Sequence, residues 1–299
     1  MIKVLMFLLL TIPYCSATLS ANEQDTISKI TIGWYFPGIN KKVSRTDFQI
    51  AINFWMDEFG KPQGIEDINS RLFDSVEKMK IAFNNSELDY IVAPPLLFVK
   101  YFDMHKVTKG IIAKNITGKP YGVVVLVRKE LQNLSELKNK RLVMPDNDEL
   151  AEVFLETLVI PEFKQSYSQV FSSVNYTQKH NTVVHQLFFN QADVGVTYLE
   201  SFDLMVELNP QIADKIKILA NFPIDSPNYS FFHKKFPEKL RDELIAAMIK
   251  LNKSDEATQI FNGFMMESLL ECSVESLEPF YQLNERYKQL KQQISGKSR

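Results

Sequence analysis

Glycine is scarce in this chain of 299 residues, with only 10 present. None falls in a G-x-G-x-x-G or P-loop pattern, which removes the common dinucleotide and nucleotide-phosphate cradles. Cysteine is scarcer still, at 2 residues, Cys15 and Cys272. Only Cys272 survives removal of an N-terminal leader, so no internal disulfide is expected, and its setting after Leu269-Leu270 reads as a small buried hydrophobe. Charge of one sign is also missing. Lys plus Arg number 34 against 36 Asp plus Glu, and a near-neutral surface lacks the basic face that nucleic-acid binding needs. No apolar run reaches the length of a membrane span, and no period of 20–50 residues repeats. The four histidines, His105, His180, His185 and His233, are scattered. His180 and His185 are five apart and do not share a helix face as an i, i+4 metal pair does. With no nucleophile elbow and no Cys-His pairing, neither an enzyme, a metal site nor a cofactor is expected.

What remains is an ordinary globular composition, 45% hydrophobic and 23% charged, of a size for two domains. The first residues stand apart. Lys3 precedes the apolar run Val4–Ile12, Pro13 breaks it, and Cys15-Ser16-Ala17 or Leu19-Ser20-Ala21 supplies small residues. This is the pattern of a cleaved secretory signal over residues 1–21, with export to the periplasm. An uncleaved tether is the alternative.

Strand-like and helix-like segments then alternate. Ile30–Phe36 is β-rich and stops at Pro37-Gly38. Ser44 opens a helix with Phe48, Ala51, Ile52, Trp55, Met56 and Phe59 on one face. Asp74 and Glu77 open a second helix that turns Val76, Met79 and Phe83 inward, and Leu88–Ala93 is a short strand before Pro94-Pro95. Tyr121–Val127 is the most continuous apolar strand, the signature of burial on both faces. Leu134–Arg141 makes a short helix and turn before the strand Leu142–Met144. Pro145-Asp146-Asn147-Asp148 caps a helix reaching about Val159. Residues 170–176 read as a strand, 181–190 as a helix, 194–196 and 216–220 as strands. The tail from Pro237 reads as helical, with Leu240, Leu244, Ala247, Met248 and Leu251 on one face. This alternation predicts α/β layers with mostly parallel sheets.

The order of these pieces carries a resemblance. Ser86-Glu87-Leu88-Asp89-Tyr90, the run Leu134–Arg141, and His180 followed thirteen residues on by Asp193 in Gln191–Val196 resemble the substrate-binding proteins of phosphate/phosphite/phosphonate ABC transporters. Asn221–Phe231 looks like that family's return crossover, and the resemblance spans residues 28–265. It implies a two-lobed, periplasmic-binding-protein-like (Venus flytrap) α/β fold. Each lobe would be a mostly parallel sheet flanked by helices, the two joined by two crossover strands. Residues 27–118 with 218–299 would form one lobe and 119–217 the other. It also implies a monomer that captures a small-molecule ligand in the cleft for an ABC permease. The alternative is a sensory or protein-interaction module of the same fold, coupled to a membrane kinase, with a degenerate site.

The family holds its ligand with a run of Ser and Thr at a helix start, which is sound anion chemistry. Here those positions fall near Glu149-Leu150-Ala151-Glu152, with Asp146 and Asp148 alongside. Unpaired carboxylates there would repel a phosphonate dianion, so the expectation is a positive or neutral polar ligand. The candidate ligand-binding residues are Tyr35, Phe36, Pro94, Tyr121, Asp146, Asp148, Glu149 and His180. Trp34 and Tyr35 end the first strand, where open α/β sheets place ligands. Each of these aromatics has core packing as its alternative role.

Overall fold

The computed structural model describes residues 29–35, 65, 67–115, 121–254 and 266–296, with single positions 46, 50, 53, 258 and 261. The signal segment and Phe36 lie outside the described residues. So does the helix expected after Ser44, apart from Thr46, Ile50 and Asn53, which are helical.

Two sheets organise the chain. The first contains β1 (Lys29–Trp34), β2 (Asp67–Leu72), β3 (Tyr90–Ala93), β4 (Val107–Asn115), β10 (Tyr229–His233) and β11 (Met266–Cys272), in the order β11-β4-β10-β3-β1-β2. The second contains β5 (Tyr121–Arg128), β6 (Arg141–Pro145), β7 (Ser173–Thr177), β8 (Val194–Tyr198) and β9 (Ile216–Ile224), in the order β7-β6-β8-β5-β9. In the first, β1 to β4 run one way and β10 and β11 the other. In the second, only β5 runs against its neighbours. Parallel ladders thus make one side of each sheet, and the antiparallel ladders fall where the chain enters or leaves a sheet.

The helices follow from capping and spacing. Ser75, rather than Asp74, caps α1 (Val76–Asn84), its hydroxyl accepting from Lys78 N at 3.3 Å, and Val76, Met79 and Phe83 are buried as their spacing predicts. After β3, α2 (Pro95–Tyr101) begins on Pro94-Pro95. Then come α3 (Glu149–Phe163), α4 (His180–Phe188), α5 (Leu199–Leu208), α6 (Glu238–Lys250) and α7 (Glu278–Ser295). Along β5 the side chains alternate between cores. Val123, Val125 and Val127 join one cluster, while Val124 and Leu126 join another beneath α4 and α5. The first cluster is the larger and runs from α1 and β3 through α2, α7 and α3 to β5.

One construction recurs in both sheets. Asp89, just before β3, accepts a hydrogen bond from Thr31 N at 2.8 Å. Asp193, just before β8, accepts from Arg141 N at 3.0 Å, and the Arg141 guanidinium closes a two-point pair on it at 2.8 and 2.9 Å. The residues that carried the family resemblance therefore tie neighbouring strands together.

Three expectations change. The tail from Pro237 is not wholly helical: Met266–Cys272 is an edge strand paired antiparallel to β4. The strand expected at 170–176 is β7 at 173–177, preceded by a helical turn at Tyr167–Val170. Finally, β9 stays paired with β5 as far as Ile224 opposite Tyr121, so the chain leaves the second sheet after 224, not at 218. The unforeseen strand β4 depends on one residue type. A Cβ at Gly110 would lie 1.7 Å from the Ser230 carbonyl oxygen, so β4 and β10 pair only with glycine there. Cys272 is buried, as expected, its thiol donating to Ser230 O at 3.8 Å.

After β11 the chain returns across the molecule. Helix α7 packs on α3 and α2, inserting Phe280 against Phe222 and Tyr229 at ring separations of 5.7 and 5.9 Å. Lys291 of α7 pairs at 3.1 Å with Glu156, a fully buried carboxylate that also accepts from Ser166 and from Tyr167 N. A buried charge needs such partners, because removing one leaves the other to bear the desolvation cost.

Candidate functional site

Strand β3 of the first sheet, and β6 and β8 of the second, end where the following helices begin, and β1 ends beside β3. Helix starts carry unpaired N–H groups and the positive end of the helix dipole, and such strand ends are where α/β sheets receive ligands. Three groups of side chains assemble there.

The first group bridges the two sheets. Glu149, the first residue of α3, receives Lys100 Nζ on one carboxylate oxygen and the Tyr101 hydroxyl, at 3.1 Å, on the other. Both donors come from the end of α2. The Lys100 ammonium also lies 5.4 Å from the centre of the Tyr101 ring. Tyr35 is half-buried close by. Burial raises its phenol above the ordinary range, and the Glu149 and Glu77 carboxylates add to that. Burial and the same Glu149 carboxylate push Tyr101 up to about 12.

The second group lies within the second sheet. Asp148 caps α3 by accepting from Ala151 N at 3.0 Å. It also receives the buried Tyr198 hydroxyl; burial first, then Asp148, holds that phenol well above its usual value. The His180 ring, at the start of α4, stands edge-on to Tyr198 at 4.9 Å and 84°. Asp146 sits in the turn before the cap, donating its N–H to Thr177 O at 2.9 Å.

The third group is at the crossing between sheets. Tyr121 is buried in the main cluster, its phenol pushed up to about 12 by burial and by Glu200. Glu200, in the first turn of α5, accepts from its own N–H and from Gly122 N, yet burial outweighs those bonds and lifts its carboxyl to about 7. Its Oε2 is buried with no hydrogen-bond partner.

The structure thus brings Tyr35 near Glu149 and His180 against Tyr198, which bonds Asp148, and leaves Tyr121 in core packing beside a carboxyl. Pro94 acts through its backbone as the N-cap position of α2. Trp34 packs against the outer core of the first sheet. Lys100, Tyr101, Tyr198 and Glu200 were not foreseen. Lys100 and Tyr101 close a seven-residue apolar helix that carries no motif, and Glu200 is one of many acids until burial singles it out. The carboxylates at the start of α3 are not an open negative patch: Glu149 is matched by Lys100 and Tyr101, and Asp148 by the helix start and Tyr198. The repulsion expected from them is answered within the protein. Among the described residues no three His, Cys, Asp or Glu side chains gather to hold a metal.

A family model described as the periplasmic substrate-binding protein of phosphonate ABC transporters matches residues 38–276. No curated protein sequence matches the chain. Among solved structures, a Xanthomonas citri protein bound to chloride is 10% identical with a TM-score of 0.67, over 88% of this chain and 99% of that one. A binding component of an ABC phosphonate transporter from Pseudomonas aeruginosa is 12% identical with a TM-score of 0.62, over 89% and 88%. PhnD1 of Prochlorococcus marinus, in complex with methylphosphonate, is 14% identical with a TM-score of 0.61, over 87% and 98%. These resemblances place the chain in a two-lobed binding-protein fold.

Proposed function

Because the chain belongs to the family of periplasmic substrate-binding proteins of phosphonate ABC transporters, we propose that it captures a small oxyanion-bearing solute between its two sheets and delivers it to a membrane permease. The observation that carries this reading is the meeting of Lys100 and Tyr101, from the first sheet's side, on the carboxylate of Glu149 from the second. A carboxylate and a phosphonate share the features those donors recognise, negative charge and accepting oxygens. Glu149 is then the internal occupant of a donor set that an incoming solute takes over, with Tyr35 alongside. The start of α3 supplies further N–H groups once Glu149 swings away. Glu200, which accepts from Gly122 N at the crossing between the sheets, would suit a hydroxyl or amine on the same solute. The family match favours this transport reading over a sensory role. Cleavage near Thr18 or Asn22 releases the mature chain as a monomer, and the intact mass of the periplasmic form tests that.

The deciding experiment is calorimetric titration of the wild type and Glu149→Gln with methylphosphonate, phosphate, 2-aminoethylphosphonate and ethanolamine. A ligand that must displace an internal competitor binds more weakly by the fraction of time its site is blocked. Glu149→Gln should therefore tighten oxyanion binding by on the order of tenfold. Binding of ethanolamine alone, with no oxyanion heat at millimolar concentration in either protein, would sink the proposal.

A further inference from the structure

A second pocket lies at the other end of the first sheet. Strand β10 runs from Tyr229, paired with Ala93 at the cleft edge, to His233, paired with Val107. That is about 13 Å along the strand at roughly 3.3 Å per residue. At the His233 end a cavity of about 220 Å³ is lined by His105, Lys106, His233, Lys234 and Lys235, with Asn84 and Ser86 closing its side. We propose that this pocket is a second ligand site, outside the cleft, for a phosphate-type oxyanion.

The backbone fixes the pocket before any ligand arrives. Lys234 N donates to Lys106 O at 2.7 Å and His233 N to Asp89 O at 2.8 Å, setting the 104–106 turn against the 233–236 turn. Ser86 turns the chain with φ +60°. Lys106, Lys234 and Lys235 thereby line one concavity, and no Asp or Glu is among its lining residues. Of the acids nearby, Asp103 accepts from His105 N at 3.1 Å and Glu87 pairs with Arg71 at 3.0 Å, while Asp89 accepts from Thr31 N at 2.8 Å and also acts on the His233 ring. Among the described residues Lys106 reaches the Asn84 oxygens, at 3.3 and 3.4 Å.

The independent observation is His233. It is 3% exposed, its ring packed 4.7 Å from that of Phe83. Its Nδ1 accepts from Lys235 N at 3.0 Å, so the neutral ring carries its proton on Nε2. That Nε2 is buried with no partner in the protein, and a buried donor left unmade is costly. An oxyanion in the pocket supplies an acceptor once the ring turns to bring Nε2 to the pocket surface, and adds negative charge to that of Asp89, which already acts on the ring. Burial, with Lys235 and Lys106, holds the imidazole pKa below its ordinary value, and a bound anion would raise it.

The test is imidazole ¹H–¹⁵N spectroscopy of the mature chain during titration with inorganic phosphate, against sodium chloride at matched ionic strength. The His233 signals should shift saturably with phosphate and not with chloride. Lys234→Gln/Lys235→Gln, two exposed positions, should weaken the response by on the order of tenfold or more, since two positive charges are removed from residues that line the pocket. A glycerol phosphate arm separates the two sources of this chemistry, a free ion or the phosphate of an ester or lipid headgroup. Glu149→Gln should leave the His233 response unchanged while altering cleft binding, so the two sites fail or succeed separately. An unmoved His233 signal in millimolar phosphate, or an equal shift in the double lysine variant, overturns the proposal.

Discussion

The two sheets use the same device and tune it in opposite directions. Asp89 and Asp193 each stand one residue before a parallel strand, and each accepts the N–H of a neighbouring strand. Asp193 also faces a guanidinium. Hydrogen bonds from Arg141 hold its carboxyl below the usual range despite partial burial. Asp89 has no such partner, and burial raises its carboxyl even against the Thr31 bond and His233. The position is required by strand pairing, and the charge state is left to the surroundings. The sheets also differ where they meet: the first presents donors, Lys100 and Tyr101, and the second presents acceptors, Glu149, Asp148 and Glu200. The contact between the sheets is therefore one of unlike groups.

The sharpest break between the sheets should come from removing the aspartates. Asp193→Ala deletes a backbone acceptor and both guanidinium contacts. It should cost about 2 kcal/mol of stability, reduced from what a buried pair would give because Arg141 is substantially in water. Asp89→Asn keeps an oxygen for Thr31 N and replaces a carboxyl that burial disfavours as an anion, so its cost should stay within about 0.5 kcal/mol. Denaturant midpoints of the two variants measure this directly. A loss in Asp193→Ala as small as that in Asp89→Asn would mean that neither the backbone acceptor nor the Arg141 pair contributes to stability.

The pH dependence of the same pair has opposite signs. The folded chain keeps Asp193 charged below the usual carboxylate range. Its stabilising contribution is complete above that range and is lost as pH falls through the depressed folded value. Asp89 is protonated more readily when folded, so its contribution is present at low pH and is lost as pH rises through the elevated folded value. Thermal midpoints between about pH 3 and pH 6 should therefore show a shallower acid loss in Asp193→Asn and a steeper one in Asp89→Asn than in the wild type. Parallel curves for all three proteins would contradict both assignments.

These aspartates also mark how far the sequence could be read. The Leu88-Asp89-Tyr90 and Asp193-Val194-Gly195 pieces were legible because they repeat a local rule, an acid before an apolar strand. The helices were legible through period and caps, as with Ser75 and Asp148. Strand β5 was legible because seven apolar residues in a row leave no polar face. Strands β2 and β4 were not. Asp67–Leu72 is two-thirds polar at a sheet edge, and Val107–Asn115 depends on Gly110 for contact with a strand more than a hundred residues away. The site was partly legible. Glu149 and Asp148 were found as a departure from a hydroxyl run, but the partners of Glu149 lie on an unremarked helix and Tyr198, the partner of Asp148, lies at the end of β8, so only the tertiary fold shows that the acids are matched.

The smallest effect examines that matching most closely. Tyr101→Phe removes one of the two donors on Glu149 and leaves Lys100 in place. A single hydrogen bond to a half-exposed carboxylate contributes about 1 kcal/mol, so the bridge between sheets should weaken by roughly fivefold. Small-angle scattering of the ligand-free variant should then show a modestly larger radius of gyration than the wild type. Phosphonate affinity should hardly move, within about threefold, because Tyr101 would serve the internal carboxylate and the incoming oxyanion alike and its loss cancels between them. Glu149→Gln is the opposite case, since it removes the competitor and keeps the donors. A tenfold loss of affinity in Tyr101→Phe would show that the phenol serves the ligand without ever holding Glu149, and the two sheets would then meet through Lys100 alone.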